Sequence, residues 1–365
     1  MEGIVSIRME NGVAPFTHKK LERFRRDPLA SPDITLERNN LSGLLRTDPH
    51  DQTYYSSGTE LPVVIDYSFT DELLVGPDAY QIVNRKSIYE IGQGRISCDG
   101  NINESFLEFG VLRPAINNII VPKGCFLARA SAVLWHDRVL VFLGDHKVGK
   151  TSLLLAMLAR GASPLGTEYM FMSRDGSCTA YSPYVGLNEW HLRLLPELAG
   201  SAYPVPADRK KHERELSLYR MGLSLKESNF ILRNAKRLLT SRFYFDLYCP
   251  VTRIFPKCQL IEKGKATHVF NLEKRGGSRG VVESTPEQIA SLNASLYWIW
   301  EGNHHSLLSD LVGLEHCTLE ELREVLTGFL SAAQCHSLVV GPESLSTREV
   351  LLKQVDAIEA MVHRR

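Results

Sequence analysis

The chain has 365 residues, 44% of them apolar, which is enough for one large domain and a smaller one around a sizeable core. Its 42 basic residues are offset by 42 acidic ones, which excludes a net charge that would by itself direct the protein to nucleic acid or an anionic membrane. Seven cysteines, odd in number and without a CxxC pair, read as reduced core thiols, and no run reaches the roughly 18 apolar residues of a membrane span. The opening MEGIVSIRMENG carries no basic stretch followed by an apolar run, so the expectation is a soluble cytoplasmic protein with no nucleic-acid and no membrane partner.

Residues 1–60 are polar and turn-rich, with APF, DPLASPD, ERNN and TDPHDQ interrupting any strand, and read as loosely structured or as a decorated edge, of no legible role. From Leu61 the short apolar runs LPVVIDYSF, ELLVG, YQIVN, SIYEI and FLEFGVL predict a small β-rich domain over 61–125. Two strands follow, FLARASAVLW and VLVFLG, joined by a tight turn at His136, Asp137 and Arg138. TSLLLAMLARG reads as a helix of about three turns stopped at Gly161, and LGTEYMFM and SCTAYSP bracket the hairpin signal SRDG.

Residues 208–240 predict a pair of surface helices with a basic face built from Arg209, Lys210, Lys211, Arg214, Arg220, Lys226, Arg233, Lys236 and Arg237. That face reads either as solvated or as a lid over an anionic acceptor or phosphates. RFYFDLY, IFPKCQLIEK and THVFNLEKR look like strands, and STPEQIASLNASLYWIW like a helix with a serine near its start. Tyr297, Trp298 and Trp300 read as core packing, and His304 and His305 lack partners at metal-ligand spacing. Residues 301–365 read as a helical extension, with a capping box at Thr318-Leu319-Glu320-Glu321 and a last helix in STREVLLKQVDAIEAMVHR.

The segment Gly144-Asp145-His146-Lys147-Val148-Gly149-Lys150-Thr151 matches GxxxxGK[ST], the Walker A or P-loop pattern, without a mismatch. Glycines let the backbone curl so that successive amide hydrogens face phosphate oxygens, and the following helix, beginning with Lys150, Thr151 and Ser152, adds its positive end. Lys150 would neutralise the outer phosphates of ATP, and Thr151 carries a hydroxyl where Mg2+ is coordinated. A strand before and a helix after give the required setting. Asp145, His146, Lys147 and Val148 fill variable positions, with His146 at the rim.

The run RASAVLWHDRVLVFLGDHKVGKTSLLLAMLARGASPLGTEYMFM resembles the catalytic domain of HPr kinase/phosphorylase-like proteins. Members typically read HASAV, a turn, a strand into GxSGxGKS, a helix, RG and then LxADD. The matching stretches are ASAV at 130–133, the loop at 144–151, Arg160-Gly161, and Leu165-Gly166-Thr167-Glu168. The resemblance implies an α/β (α+β) fold related to phosphoenolpyruvate carboxykinases, a curved mixed sheet with a P-loop and flanking helices over 126–300. It implies phosphoryl transfer from ATP to a serine-type hydroxyl, and members are often homo-oligomers, commonly hexamers.

Two departures stand out. Arg129 replaces the histidine of HASAV, and Thr167-Glu168 replaces the paired aspartates. On the resemblance Lys150, Glu168 and Arg129 carry catalysis and Thr151, Glu168 and Glu189 hold the metal. Arg129 reads alternatively as paired with a carboxylate at a strand end, and Glu189 as a surface glutamate. Three functions follow: an ATP-dependent kinase acting on a hydroxyl of a small anionic biosynthetic metabolite, a kinase for serine on a carrier protein or ribosomal peptide, or an ATP-binding regulatory module without catalysis.

Overall fold

The computed structural model describes residues 7–9, 34–38, 72–75, 80–84, 87–92, 95–100, 107–145, 147–198, 201, 210, 214, 217–218, 221, 232–235, 246–274, 280–296, 317–340 and 347–363. A first sheet of six strands has the order β1-β2-β6-β5-β4-β3, with β1 Ile7–Met9, β2 Ile34–Arg38, β3 Glu72–Val75, β4 Tyr80–Asn84, β5 Ser87–Gly92 and β6 Arg95–Gly100. β3 to β6 form an antiparallel meander, in which the runs ELLVG, YQIVN and SIYEI supply β3 to β5, while β6, RISCDG, was announced by no apolar run. β1 and β2 come from the stretch expected to be loosely structured or a decorated edge, and they lie at one edge of this sheet. β2 is held because it pairs in parallel with β6, with Ile34 almost fully buried.

Residues 107–120 depart from the expectation of a β-rich stretch up to 125. Leu107–Leu112 is a π-helical segment that runs directly into α1, Arg113–Ile120, with a proline in its first turn. The apolar residues of FLEFGVLRPAINNII recur on a helical face, and Leu107, Leu112, Ile116 and Ile120 are all buried.

The second, mixed sheet carries the order β10-β8-β9-β15-β12-β11-β7, with β17 pairing β15 and β16. Its strands are β7 Cys125–Ala128, β8 Ser131–Trp135, β9 Arg138–Gly144, β10 Ser163–Gly166, β11 Met170–Ser173, β12 Ser177–Ala180, β15 Lys263–Lys274, β16 Gly280–Glu283 and β17 Gln334–Val340. β13 Tyr184–Asn188 and β14 Asp246–Pro250 form a separate antiparallel pair. β9, β15 and β17 run parallel at the centre.

The described helices that accompany this sheet include α2 Lys150–Ala159, α3 Glu189–Leu194, α4 Val251–Ile254, α5 at 286–296, α6 Leu319–Ser331 and α7 Arg348–His363. β9 is apolar along its length because both its faces are covered. Leu140 and Phe142 pack with α2 and α7, while Val139, Val141 and Leu143 pack with α6 on the other side. α2 is apolar on every side for the same reason: Leu153, Leu154 and Leu155 are fully buried.

The expected single strand FLARASAVLW is two strands, β7 and β8, parted at Arg129-Ala130 because they pair with different neighbours, β11 and β9. Likewise LGTEYMFM is broken at Thr167-Glu168-Tyr169 between β10 and β11. The hairpin at His136-Asp137 has both residues at positive φ, 46° and 60°, the twist-matched two-residue turn, with Arg138 already in β9. IFPKCQLIEK forms α4's end and a loop, with only its last lysine opening β15. Thr285 rather than a serine caps α5, its Oγ accepting from Gln288 N at 3.3 Å, while Ser284 is hydrogen-bonded to Ser337. The expected helical extension at 301–365 contributes α6 and α7 but also β17, which is built into the main sheet beside β15.

Candidate functional site

Strand direction brings the chemistry to one edge of the main sheet. β9 leaves the sheet at Gly144. β8, antiparallel to it, begins at Ser131 opposite Phe142, and β10 ends at Gly166 opposite Ala132. Arg129, just before β8, and Glu168, just after β10, therefore arrive at the same edge as the Gly144–Thr151 loop.

The loop is shaped by left-handed residues. Gly144 has φ 124°, Lys147 56° and Gly149, the residue before α2, 107°. A Cβ at Gly144 would lie 2.4 Å from the carbonyl oxygen of Leu272 in the neighbouring strand, so this position requires glycine on two counts. Among the described residues no side chain caps α2, and its first turn holds no acidic residue. Its leading amides are thus left for an external acceptor, which is the chemistry of an anion site. His146 lies outside the described residues.

Lys150 opens α2 and is buried. Its Nζ donates to the carbonyl oxygens of Gly144 at 2.6 Å and Asp145 at 2.7 Å, so its ammonium crosses the loop. Burial, reinforced by the neighbouring Arg129 guanidinium, pushes its pKa down to about 7 against the opposing pull of Asp145 and Glu168. Those same influences place Arg129, Asp145 and Glu168 within electrostatic reach of Lys150. Ser131 ties β8 to the helix start by donating to the Lys150 carbonyl at 3.3 Å. Thr151 is half-buried in the first turn, and Ser152 is buried.

Glu168 is half-buried, and its Oε2 is shielded from solvent with no hydrogen-bond partner among the described residues. Such an orphaned carboxylate oxygen beside a lysine is costly unless something else binds it, and it fits a metal ion or a hydroxyl proton. Thr167 offers no chemistry in place of the expected aspartate: it is buried, with its hydroxyl bonded to the carbonyls of Ser182 and Tyr184. Among the described residues Arg129 makes no ion pair. Its guanidinium lies 5.9 Å from the Tyr169 ring centroid, beside Lys150.

Glu189 is the first residue of α3, capped by Asn188, and its side chain lies outside what the structure describes. Of the basic cluster, Lys210, Arg214 and Arg233 are described, each in helical backbone, and the others are not. Tyr297, Trp298, Trp300, His304 and His305 lie outside the described residues. Among the described residues no group of three or more His, Cys, Asp or Glu side chains converges to hold a metal, and no helix is long and apolar enough to cross a membrane.

No protein-family model matches the chain, and neither does any curated protein. Among solved structures it is similar to the Hpr(Ser) kinase/phosphatase from Coxiella burnetii, at 7% identity and a TM-score of 0.31 over 65% of this chain and 91% of that one. A likeness of that size carries nothing about what this chain does. Its residues must speak for themselves.

Two features of the edge were missed in the sequence. Glu273 follows Leu272, the register partner of Gly144, so a second acidic residue lies near the end of β15, one position past the strand's last pairing with β9. Its Oε1 accepts from Ser337 at 2.7 Å and Asn271 at 2.9 Å. An acidic residue closing an apolar run was the available signal, but its meaning depended on β15 pairing with β9. The second feature is Arg113 of α1, whose guanidinium lies 3.5 Å from the Tyr169 ring centroid. Nothing in RPAINNII announced it.

Proposed function

We propose that the protein is an ATP-dependent kinase that transfers the γ-phosphoryl group to a hydroxyl of a small anionic metabolite. The observation that carries this reading is the convergence of an uncapped helix start, a buried lysine lying across a glycine-shaped loop, Arg129 and an unpartnered carboxylate oxygen of Glu168 at one sheet edge.

The amides of 145–151 would cradle the phosphates, and Lys150 would exchange its two carbonyl partners for the outer phosphate oxygens. Magnesium held by Thr151 and Glu168 would neutralise charge on those oxygens. Glu273, fixed by Ser337 and Asn271, adds a second carboxylate near that end of the sheet. The acceptor oxygen attacks the γ-phosphorus, the bond to the β–γ bridging oxygen breaks, ADP leaves, and the hydroxyl proton passes to Glu168 directly or through water. Arg129, a permanent cation without a carboxylate partner among the described residues, suits an anionic acceptor.

The test is incubation of the purified protein with γ-labelled ATP and magnesium against hydroxylated nucleosides, sugars, amino acids and serine peptides, beside Lys150→Ala and Glu168→Ala variants. Label on a small molecule that disappears in both variants is the expected result. Label on a peptide would redirect the acceptor to a protein serine. Nucleotide binding without transfer to anything would mean that the Thr167-Glu168 replacement marks a regulatory module, and transfer by Lys150→Ala would overturn the loop's role.

A further inference from the structure

Glu168 sits between two anchored neighbours. Thr167 on one side is bound by its hydroxyl to the carbonyls of Ser182 and Tyr184. Tyr169 on the other is buried, with its ring covered by the Arg113 guanidinium at 3.5 Å. Thr167 and Tyr169 thus point into the protein while Glu168, in alternation, reaches the loop edge where Lys150 and Arg129 lie. The segment is not a regular strand here, since β10 ends at Gly166 and β11 starts at Met170, so the backbone ladder does not fix it. Side-chain anchors do that instead.

Arg113 is itself an unusual anchor. It is fully buried, 1% exposed, and comes from α1, ahead of the strands that build the site. Its Nη2 donates to Glu108 Oε1 at 2.5 Å, and Glu108 is equally buried. The Tyr181 ring stands 5.4 Å from the guanidinium and edge-on to Tyr169, with 6.4 Å between ring centroids. A buried ion pair is a poor way to gain stability, because desolvation consumes most of its attraction; a hydrophobic pair of the same volume would serve a core at least as well. What the pair provides is a planar cation held in one orientation against one aromatic face.

We propose that the buried Glu108–Arg113 pair is a positioning device for the site: it clamps Tyr169 from α1 and thereby holds the adjacent Glu168 carboxylate against the loop. Arg113 touches neither nucleotide nor acceptor. Burial lowers the pKa of the guanidinium, but the Glu108 and Glu168 carboxylates are among the neighbours that raise it on balance, so Arg113 stays a cation within electrostatic reach of Glu168. The idea rests on the reading of Glu168 as the site's working carboxylate.

Removing one member of a buried pair leaves a charge stranded, so single variants can fail simply by unfolding. The informative variant is the double replacement Glu108→Gln with Arg113→Met, which removes both charges at similar volume. If the clamp positions Glu168, this protein binds ATP with wild-type affinity in the absence of magnesium while kcat with magnesium falls tenfold or more. In a Glu168→Gln background the same double replacement lowers kcat no further, because the two act through one group. Arg113→Lys, which keeps the charge but not the planar face, should recover only part of the loss. A crystal structure of the double variant supplies a readout that needs no activity: residues 167–169 are expected to shift, with Glu168 withdrawn from Lys150. An unmoved Glu168 in that structure, or an undiminished kcat, overturns the proposal. Wild-type protein that transfers no phosphoryl group would sink the kinase reading alone, and the crystal structure would still decide the clamp.

Discussion

Lys150 concentrates the electrostatics of this protein in one side chain. Its folded-state pKa, about 7, lies below the ordinary lysine value of 10.5, so between those values the unfolded chain binds more protons. The Lys150 contribution to stability should therefore rise as pH goes from 7 towards 10.5, and the full cost of burying the ammonium is present below about 7. The difference between the denaturant midpoints of wild type and Lys150→Met across that window would show it, because the thiols of Cys178, Cys317 and Cys335, whose pKa burial raises, oppose the trend in both proteins alike. Nucleotide binding should pull the other way, because phosphates favour the ammonium. Calorimetric titration of ATP near pH 8, in buffers of different ionisation enthalpy, should reveal net proton uptake that Lys150→Met abolishes. Gly144 is the other residue with a sharp expectation. Alanine there must tolerate φ 124° and a Cβ 2.4 Å from the Leu272 oxygen, so Gly144→Ala should lose about 2 kcal/mol or more of stability and weaken ATP binding. A variant with wild-type chemical-denaturation behaviour would contradict the loop geometry.

Among the elements, α2 shows how position overrides amphipathicity. A helix of KTSLLLAMLA has no polar face to speak of, and it is stable because the sheet covers one side and α7 the other. Leu154 is fully buried between them, so Leu154→Ala should cost about 2–5 kcal/mol, read as a lower denaturant midpoint with an unchanged slope. β9 and α2 were legible because strand apolarity, glycine placement and the Gly161 stop are local signals. Gly161 indeed lies past the helix end at φ 95°, its amide returning to Leu158 O. The breaks at Arg129-Ala130 and Thr167-Tyr169 were not legible, because each separates two stretches of equally good strand sequence. Only their different partners part them: β11 against β9 in the first case, β8 against β7 in the second.

For the whole molecule, the C-terminal residues are structural members of the main sheet and its cover. β17 runs beside β15 from Gln334 to Val340, and Leu351, Val355, Ile358 and Val362 of α7 join the core under α2. Arg160, at the end of α2, is paired with Asp356 at 2.7 Å and Glu359 at 3.1 Å on α7. Burial of those four apolar side chains is worth about 1.5–3 kcal/mol each, a sum comparable with the about 5–15 kcal/mol total stability of a typical domain. A chain ending at residue 345 should therefore fail to unfold cooperatively and should be degraded rapidly in limited proteolysis. A truncated protein with a sharp thermal transition near that of the full chain would show that α7 is dispensable.

What the amino-acid sequence determined by itself is whatever depends on neighbours along the chain: the glycine-shaped loop, the strand entering it, the helix leaving it, the turn at His136-Asp137 and the capping box at Thr318. Steric limits on φ, hydrophobic period and capping act over a few residues and leave a readable trace. Tertiary structure decided which side chains meet that loop. Arg129, Glu168 and Glu273 come from three separate stretches that strand direction and register bring to one end of the sheet, and Arg113, from a fourth, packs on Tyr169 beside Glu168 rather than on the loop. Pairing between distant segments depends on the free energy of the whole packed core, and no short window of sequence encodes that.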